Sequence, residues 1–546
     1  MRVSLVLRRG LAAVCVAGLS ATLLTAATPA PAPKLVVLLM VDQMRGDYID
    51  RFASQWHGGL KQLVEHGAWF RRADYPYANT VTCAGHASVS TGDVPATHGL
   101  ILNDWWDRQA GREVTCTEDA SVRNIGYGGH PVKGGESLAR LMATTLSDEL
   151  RAQLSPAGHA IAFSLKARAA ATLAGHRPDA VAWFDDGGTW ATSTAFSAAP
   201  VPAVNDFIAR HPVDADFGKT WDRSLPLSDY LFETPAVGVT APKGMTDRFP
   251  HALSGAGHAP DKRFYTQWQS SPYSDDYLAT MALDVAGQLH FEQGGATNFI
   301  GISFSALDKV GHDYGPNSHE VQDVLIRLDR TLATFFAGLD RLVGAGNWTV
   351  ALAADHGVAP IPERAQAEAL PAGRVDVTRV VQAIEAPLVQ AFGPGKYVTA
   401  YVHSEVYLAD GVYAKLTASA PALAALRASL RAVPGIADVL TSTELSHRAS
   451  TGDARINRFT LSYMAGRSGD LTVVYRPYWV DDATGTSHGT PYTYDTHIPI
   501  LLMGKGIAPG EYLQPASPVD IAPTLAFLAG VTLPNADGRV LTEALH

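Results

Sequence analysis

The chain has 546 residues, 47% of them hydrophobic, and a formal net charge of −10. That length supports a large buried core, and mean hydropathy near zero argues against an integral membrane protein. The acidic balance disfavours nucleic acid as the main partner, so an anionic substrate must be drawn in locally by metal or by placed Lys and Arg.

Residues 1–27 read as a secretory signal. Arg2, Arg8 and Arg9 form a positive n-region, Leu11 to Leu24 a short apolar stretch, and Thr25-Ala26-Ala27 a cleavage site. Cleavage is favoured over a retained anchor because the run is short and rich in small residues. The expectation is a periplasmic or secreted protein with no stable membrane insertion. Of the three cysteines, Cys15 falls in the leader. Cys83 and Cys116 remain, and an exported protein favours a disulfide between them.

Lys34 to Val41 is a continuous β-branched and leucine run, as a strand buried on both faces requires. His159 to Phe163, Ala180 to Phe184, Asn298 to Phe304, Trp348 to Ala354 and Ile498 to Met503 repeat the pattern. Helical periodicity alternates with it. Val321, Leu325, Leu328, Leu332, Phe335, Leu339 and Leu342 step by four and three, and Tyr277 to Leu289 and Val519 to Ala529 are further candidates. The expected fold is α/β: a mostly parallel central sheet with helices on both faces and inserted subdomains. Its catalytic core spans 28–360 and 481–546. Residues 190–270 read as an irregular insertion. Residues 361–480 read as an inserted α+β subdomain, with strands Tyr397 to Val402 and Leu471 to Tyr475 and a helix Pro421 to Ala432.

Ligands of open parallel sheets bind beyond the C-terminal strand ends. Asp42 follows one strand, Asp355-His356 another, and Asp308 with His312 a third. If the third segment is helical, positions four apart share a face. His488 completes the set, with His497 as its rival. Each has a bland reading alone: Asp42 as a helix cap or turn former, Asp355-His356 as a chance dipeptide. Jointly they supply three carboxylates and three imidazoles, enough for two zinc ions. Asp308, His312 and His488 would hold one. Asp42, Asp355 and His356 would hold the other, with room for a Thr82 oxygen. A metal pair about 4 Å apart suits in-line displacement at phosphorus. His86, His98 and His319 read as structural or surface histidines.

The nucleophile is a hydroxyl, Thr80 or Thr82, at the start of a helix whose free N–H groups attract a phosphoryl anion. Thr82 lies nearer that start. Lys166 and Arg168 end an apolar alternation, Ser164 to Arg168. If that segment is extended, both cations face one side and suit a dianionic phosphate.

These residues together resemble the alkaline phosphatase superfamily. The nearest similarity is to the bacterial phosphate-irrepressible alkaline phosphatases, relatives of the nucleotide pyrophosphatase/phosphodiesterases. The resemblance rests on Val41-Asp42-Gln43-Met44-Arg45 and on Thr82-Cys83-Ala84-Gly85-His86-Ala87-Ser88. It continues through Thr91-Gly92, Pro95, His98-Gly99 and Asn103, then Asp308 and His312, Asp355-His356-Gly357 and His488-Gly489-Thr490-Pro491-Tyr492. Val519-Asp520-Ile521-Ala522-Pro523-Thr524 and Asp537-Gly538-Arg539 close it. It implies Thr82 as the nucleophile and His488, not His497, as the ligand. It implies Asn103, Lys166 and Arg168 on the phosphoryl oxygens, the Lys/Arg pair marking monoesterases over diesterases, and two zinc ions. The implied activity is hydrolysis of small-molecule phosphate monoesters through a phosphothreonine, with a diesterase or a non-enzymatic phosphate- or metal-binding protein as alternatives. Sulfatases share the fold, but their modified cysteine needs an Arg four positions on, where this chain has Ala87.

Overall fold

A computed structural model describes residues 31–546 apart from 186, 235, 236 and 447–452. The secretory signal expected over residues 1–27 lies outside the described residues. Among those described, no helix is long and apolar enough to cross a membrane.

The core is a ten-stranded sheet. Its strands in chain order are β1 (Leu35–Val41), β2 (Ala68–Ala73), β3 (Asn124–Gly126), β4 (Ala160–Ser164), β5 (Ala180–Asp185), β6 (Thr189–Ser193), β7 (Asn298–Phe304), β8 (Trp348–Ala353), β9 (Ile500–Gly504) and β10 (Gly510–Ala516). Their spatial order is β10-β2-β9-β8-β1-β7-β4-β5-β6-β3. The run β8-β1-β7-β4-β5 is parallel throughout, which gives the mostly parallel α/β architecture expected. β1 sits between β7 and β8 with all seven residues buried. A strand covered on both faces has no solvent side, hence its unbroken apolar sequence. Each fully buried Val or Leu contributes roughly 1.5–3 kcal/mol.

The helices that carry or brace the site are α1 (Thr82–Thr91), α2 (Ala167–Ala174), α3 (Pro272–Gln288), α4 (Ala306–Tyr314), α5 (His319–Val343) and α6 (Ile521–Ala529). α5 starts where the Ser318 side chain accepts from the Val321 N–H, and ends at Gly344 with φ 86°, a conformation that favours glycine. Its predicted apolar positions are buried from Val321 through Leu339.

Two expectations are corrected. The run near Ile498 forms β9, but it lies antiparallel to β8 and β2. An apolar run encodes burial, not direction. The segment around Lys166 and Arg168 is not extended throughout. β4 stops at Ser164, Lys166 is the extended N-cap of α2, and Arg168 already lies in its first turn. Ala167 and Ala169 to Ala171 are strong helix formers and end the strand pattern early.

The stretch 190–270 begins within the sheet, in β6, and also holds helices Pro202–Arg210 and Lys262–Gln269. Between 361 and 480 lies a second, four-stranded antiparallel sheet. Its order is Val398–Val402, Glu405–Leu408, Leu471–Tyr475, Ile436–Thr441. Helices Val377–Phe392 and Ala420–Arg431 cover it, burying Val380, Ile384, Leu388, Leu426, Leu430 and Val473 in a cluster apart from the main core.

Candidate active site

The C-terminal ends of four adjacent parallel strands, β8, β1, β7 and β4, deliver the charged residues. Asp42 leaves β1, Asp355 and His356 follow β8, and α4 after β7 carries Asp308 and His312 one turn apart. Lys166 follows β4. His488 arrives on the loop before β9. The fold thereby places at one sheet edge groups up to 446 positions apart in sequence.

Two trios of potential metal-binding atoms result. Asp308, His312 and His488 form one, and Asp42, His86 and Asp355 the other, with ligand atoms within 4.8 Å of one another in each. His356 stands between them. Its ring stacks on His488 at 3.4 Å between centroids, and its Nε2 is 3.3 Å from Asp355. His86, read from sequence as structural, lies 3.4 Å from both Asp42 and Asp355. Burial alone would lower its pKa, but the two carboxylates outweigh burial and raise it to about 9. His86 is thus placed between the two carboxylates, and the same carboxylate proximity raises His312 beside Asp308.

Three features show that these residues fit cations. Nδ1 of His312, His356 and His488 faces the carbonyl of Thr486, Gly357 and Thr80 respectively, at 2.7–2.9 Å. Each neutral ring therefore keeps its proton on Nδ1 and presents the Nε2 lone pair, the arrangement typical of metal-bound histidine. Second, the buried His356 Nε2 and Asp355 Oδ2 have no hydrogen-bond partner, a costly state unless something else satisfies them. Third, one cation already bridges the trios: Lys166 Nζ is 2.8 Å from Asp42 Oδ2 and 2.6 Å from Asp308 Oδ2. Burial raises the pKa of Asp308, but Lys166 and His312 overcome it and hold the group well below the usual carboxylate range.

The surroundings lock the carboxylates. Asp42 accepts from Ser303 and Ser305 hydroxyls. Gln43 ties the trios together, its N–H donating to Asp355 Oδ1 and its side-chain amide to Asp308 Oδ1. Sequence reading gave Gln43 no role; its only signal was its place directly after Asp42 at a strand end. His98 bonds Ser88 and the Leu100 N–H, and His319 lies beside Phe232 and Arg223, so both are structural. His497 faces Asp74 and the Ala73 carbonyl, outside both trios.

Thr82 is the first residue of α1, with Val81 at the N-cap. The two hydroxyl candidates differ in their commitments. Thr80 Oγ1 donates to the Thr490 carbonyl, while the Thr82 hydroxyl makes no hydrogen bond among the described residues. α1 approaches the Asp355 loop so closely that a Cβ at Gly85 would meet the Asp355 carbonyl oxygen at 2.3 Å. Asn103 braces the same turn. Its Oδ1 accepts from the Cys83 N–H and its carbonyl from the Cys116 N–H, and Cys83 and Cys116 are disulfide-bonded. The Asn103 amide nitrogen has no protein partner among the described residues. Arg168 lies close enough to Lys166 to oppose its charge. The buried Arg168 Nε has no hydrogen-bond partner. Lys166 is committed to Asp42 and Asp308, so the Arg168 Nε and the Asn103 amide nitrogen are the donors here without a protein partner among the described residues.

Residues 36–496 match the family model for type I phosphodiesterase / nucleotide pyrophosphatase. The alkaline phosphatase PafA of Elizabethkingia meningoseptica is 33% identical over 525 residues, 94% of this chain and 95% of that protein. The alkaline phosphatase PhoV of Synechococcus elongatus is 32% identical over 528 residues, 94% of this chain and 93% of that one. The crystal structure of wild-type PafA superposes with a TM-score of 0.86, covering 95% of this chain and 100% of that one.

Proposed function

Because this chain belongs to the type I phosphodiesterase/nucleotide pyrophosphatase family of the alkaline phosphatase superfamily, we propose that it is a secreted, zinc-dependent alkaline phosphatase acting on small phosphate monoesters. Near-full-length similarity to alkaline phosphatases supports a phosphoric ester hydrolase. Monoester preference rests on one observation. Lys166 is held by one carboxylate from each trio, and Arg168 lies beside it with a buried, unpartnered Nε. Two such cations match the extra negative charge of a monoester dianion, which a diester lacks.

In this reading Asp308, His312 and His488 hold one zinc, and Asp42, Asp355, His356 and Thr82 the other. When bound, the two ions supply Lewis-acid stabilisation of the attacking and leaving oxygens. Thr82 gives up its hydroxyl proton to solvent as Oγ1 bonds to phosphorus and the ester P–O bond breaks, and the leaving alkoxide takes a proton back from water. Water then attacks the phosphothreonine, releasing inorganic phosphate and restoring the hydroxyl. Arg168, Lys166 and the Asn103 amide hold the phosphoryl oxygens. The first-turn N–H groups of α1 favour the negative charge.

The family name favours the diesterase alternative, so the test compares p-nitrophenyl phosphate with bis-p-nitrophenyl phosphate on the zinc-loaded protein. Monoester kcat/KM should exceed diester kcat/KM by about a hundredfold or more, the scale one charged donor supplies. A diester preference that survives Lys166→Ala overturns the monoesterase reading.

A further inference from the structure

A cavity of about 320 Å³ opens beside the proposed reaction centre, within the size range of small-molecule sites. Its core wall includes Val81, next to Thr82, and His488, of the trio proposed to serve the leaving oxygen. The facing wall comes from the region around the second sheet: Tyr475, Trp479, Asp481, Asp482 and His403. A monoester held with phosphorus at Thr82 and its leaving oxygen at the His488 trio directs its organic part toward this cavity, which both Val81 and His488 line.

The lining is selective in charge. Among the described residues that line it there is no Lys or Arg. His403, the basic side chain on the facing wall, is countered first by Asp104 at 3.5 Å and then by Asp481, so the one imidazole is outnumbered by carboxylates. Asp481 is fixed by a 2.9 Å bond from the Tyr475 hydroxyl, which also bonds the Tyr401 hydroxyl. Asp482 is exposed at the mouth. Two carboxylates beside the rings of Tyr475 and Trp479 favour a cation: the carboxylates by Coulomb attraction, the aromatic faces by their quadrupoles. The same wall repels a leaving group that carries further phosphates.

We propose that this cavity is the leaving-group site and that it selects phosphate monoesters of amino alcohols, whose organic part bears an ammonium group. The assignment rests on the monoesterase reading above and adds the substrate class. It makes Asp481 and Asp482 specificity determinants, and neither takes part in bond making or breaking.

The test uses the zinc-loaded full chain and two isosteric esters. Phosphocholine carries a quaternary nitrogen where 3,3-dimethylbutyl phosphate carries a carbon. The two alcohols differ in intrinsic leaving ability, so the readout is the change in their kcat/KM ratio between wild type and variant. In Asp481→Asn/Asp482→Asn the preference for phosphocholine should fall by about tenfold, the effect of removing two nearby charges. If the double variant fails to fold, Asp482→Asn alone is read, since its side chain is exposed; about a threefold fall is expected. An unchanged ratio in a folded variant overturns the proposal. Wild-type turnover of p-nitrophenyl phosphate separates this from failure of the monoesterase reading, which would remove turnover of all three esters.

Discussion

Thr82→Ala should abolish phosphatase turnover while leaving both histidine-carboxylate clusters able to take zinc. Loss of a nucleophile that forms the covalent intermediate costs about four orders of magnitude or more in kcat. The substitution is structurally mild. Thr82 is not the N-cap of α1, and among the described residues its hydroxyl makes no hydrogen bond that folding would miss. The six proposed Asp and His ligands are held by other elements: Asp42 by Ser303 and Ser305, Asp308 and Asp355 by Gln43, the histidines by backbone carbonyls. Initial rates with p-nitrophenyl phosphate and zinc content by elemental analysis give the two readouts. A Thr82→Ala protein that turns over at wild-type rate, or one active only through Thr80, would remove Thr82 from the nucleophile's place.

Lys166→Ala should have two effects of different origin. The monoester kcat/KM falls by about 10²–10³, as for loss of one preorganised charged donor, and diester hydrolysis falls much less. The second effect is on stability. Without zinc, Lys166 is the cation that neutralises Asp42 and Asp308, both buried. Removing it takes away the cation these two carboxylates share and leaves each with one histidine, His86 beside Asp42 and His312 beside Asp308, at a cost of about 3–5 kcal/mol. Zinc supplies the missing positive charge, so the loaded variant should recover most of that loss. Urea unfolding of wild type and variant, each with chelator and with zinc, tests this. The stability gap should be wide with chelator and narrow with zinc. An equally wide gap in both conditions would mean that Lys166 acts elsewhere than between the proposed metal positions.

Much of this architecture was legible because burial leaves a strong periodic mark. β1, β7 and β8 are unbroken apolar runs, and α5 repeats its apolar positions over 25 residues. The rule that ligands gather beyond parallel strand ends then grouped Asp42, Asp308, His312, Asp355 and His356. Direction and local geometry were less legible. β9 is as apolar as its neighbours yet runs antiparallel. Arg168 sits in a helix because Ala-rich sequence outweighs a short alternation. Pattern alone could not choose between His488 and His497, since both precede the same strand; the resemblance favoured His488, and the backbone path places it in the trio. Gln43 and His86 act through hydrogen bonds and charge proximity across more than 250 positions of sequence, a signal that no local pattern carries.

The most direct test of covalent phosphoryl transfer is an acid quench of the zinc-loaded protein during turnover of a radiolabelled phosphate monoester, followed by peptide mapping. Phosphate on Thr82 in the wild type, and none in Thr82→Ala, is the expected result. Turnover with no label on the chain, or label on Thr80 or a histidine, would contradict transfer through Thr82.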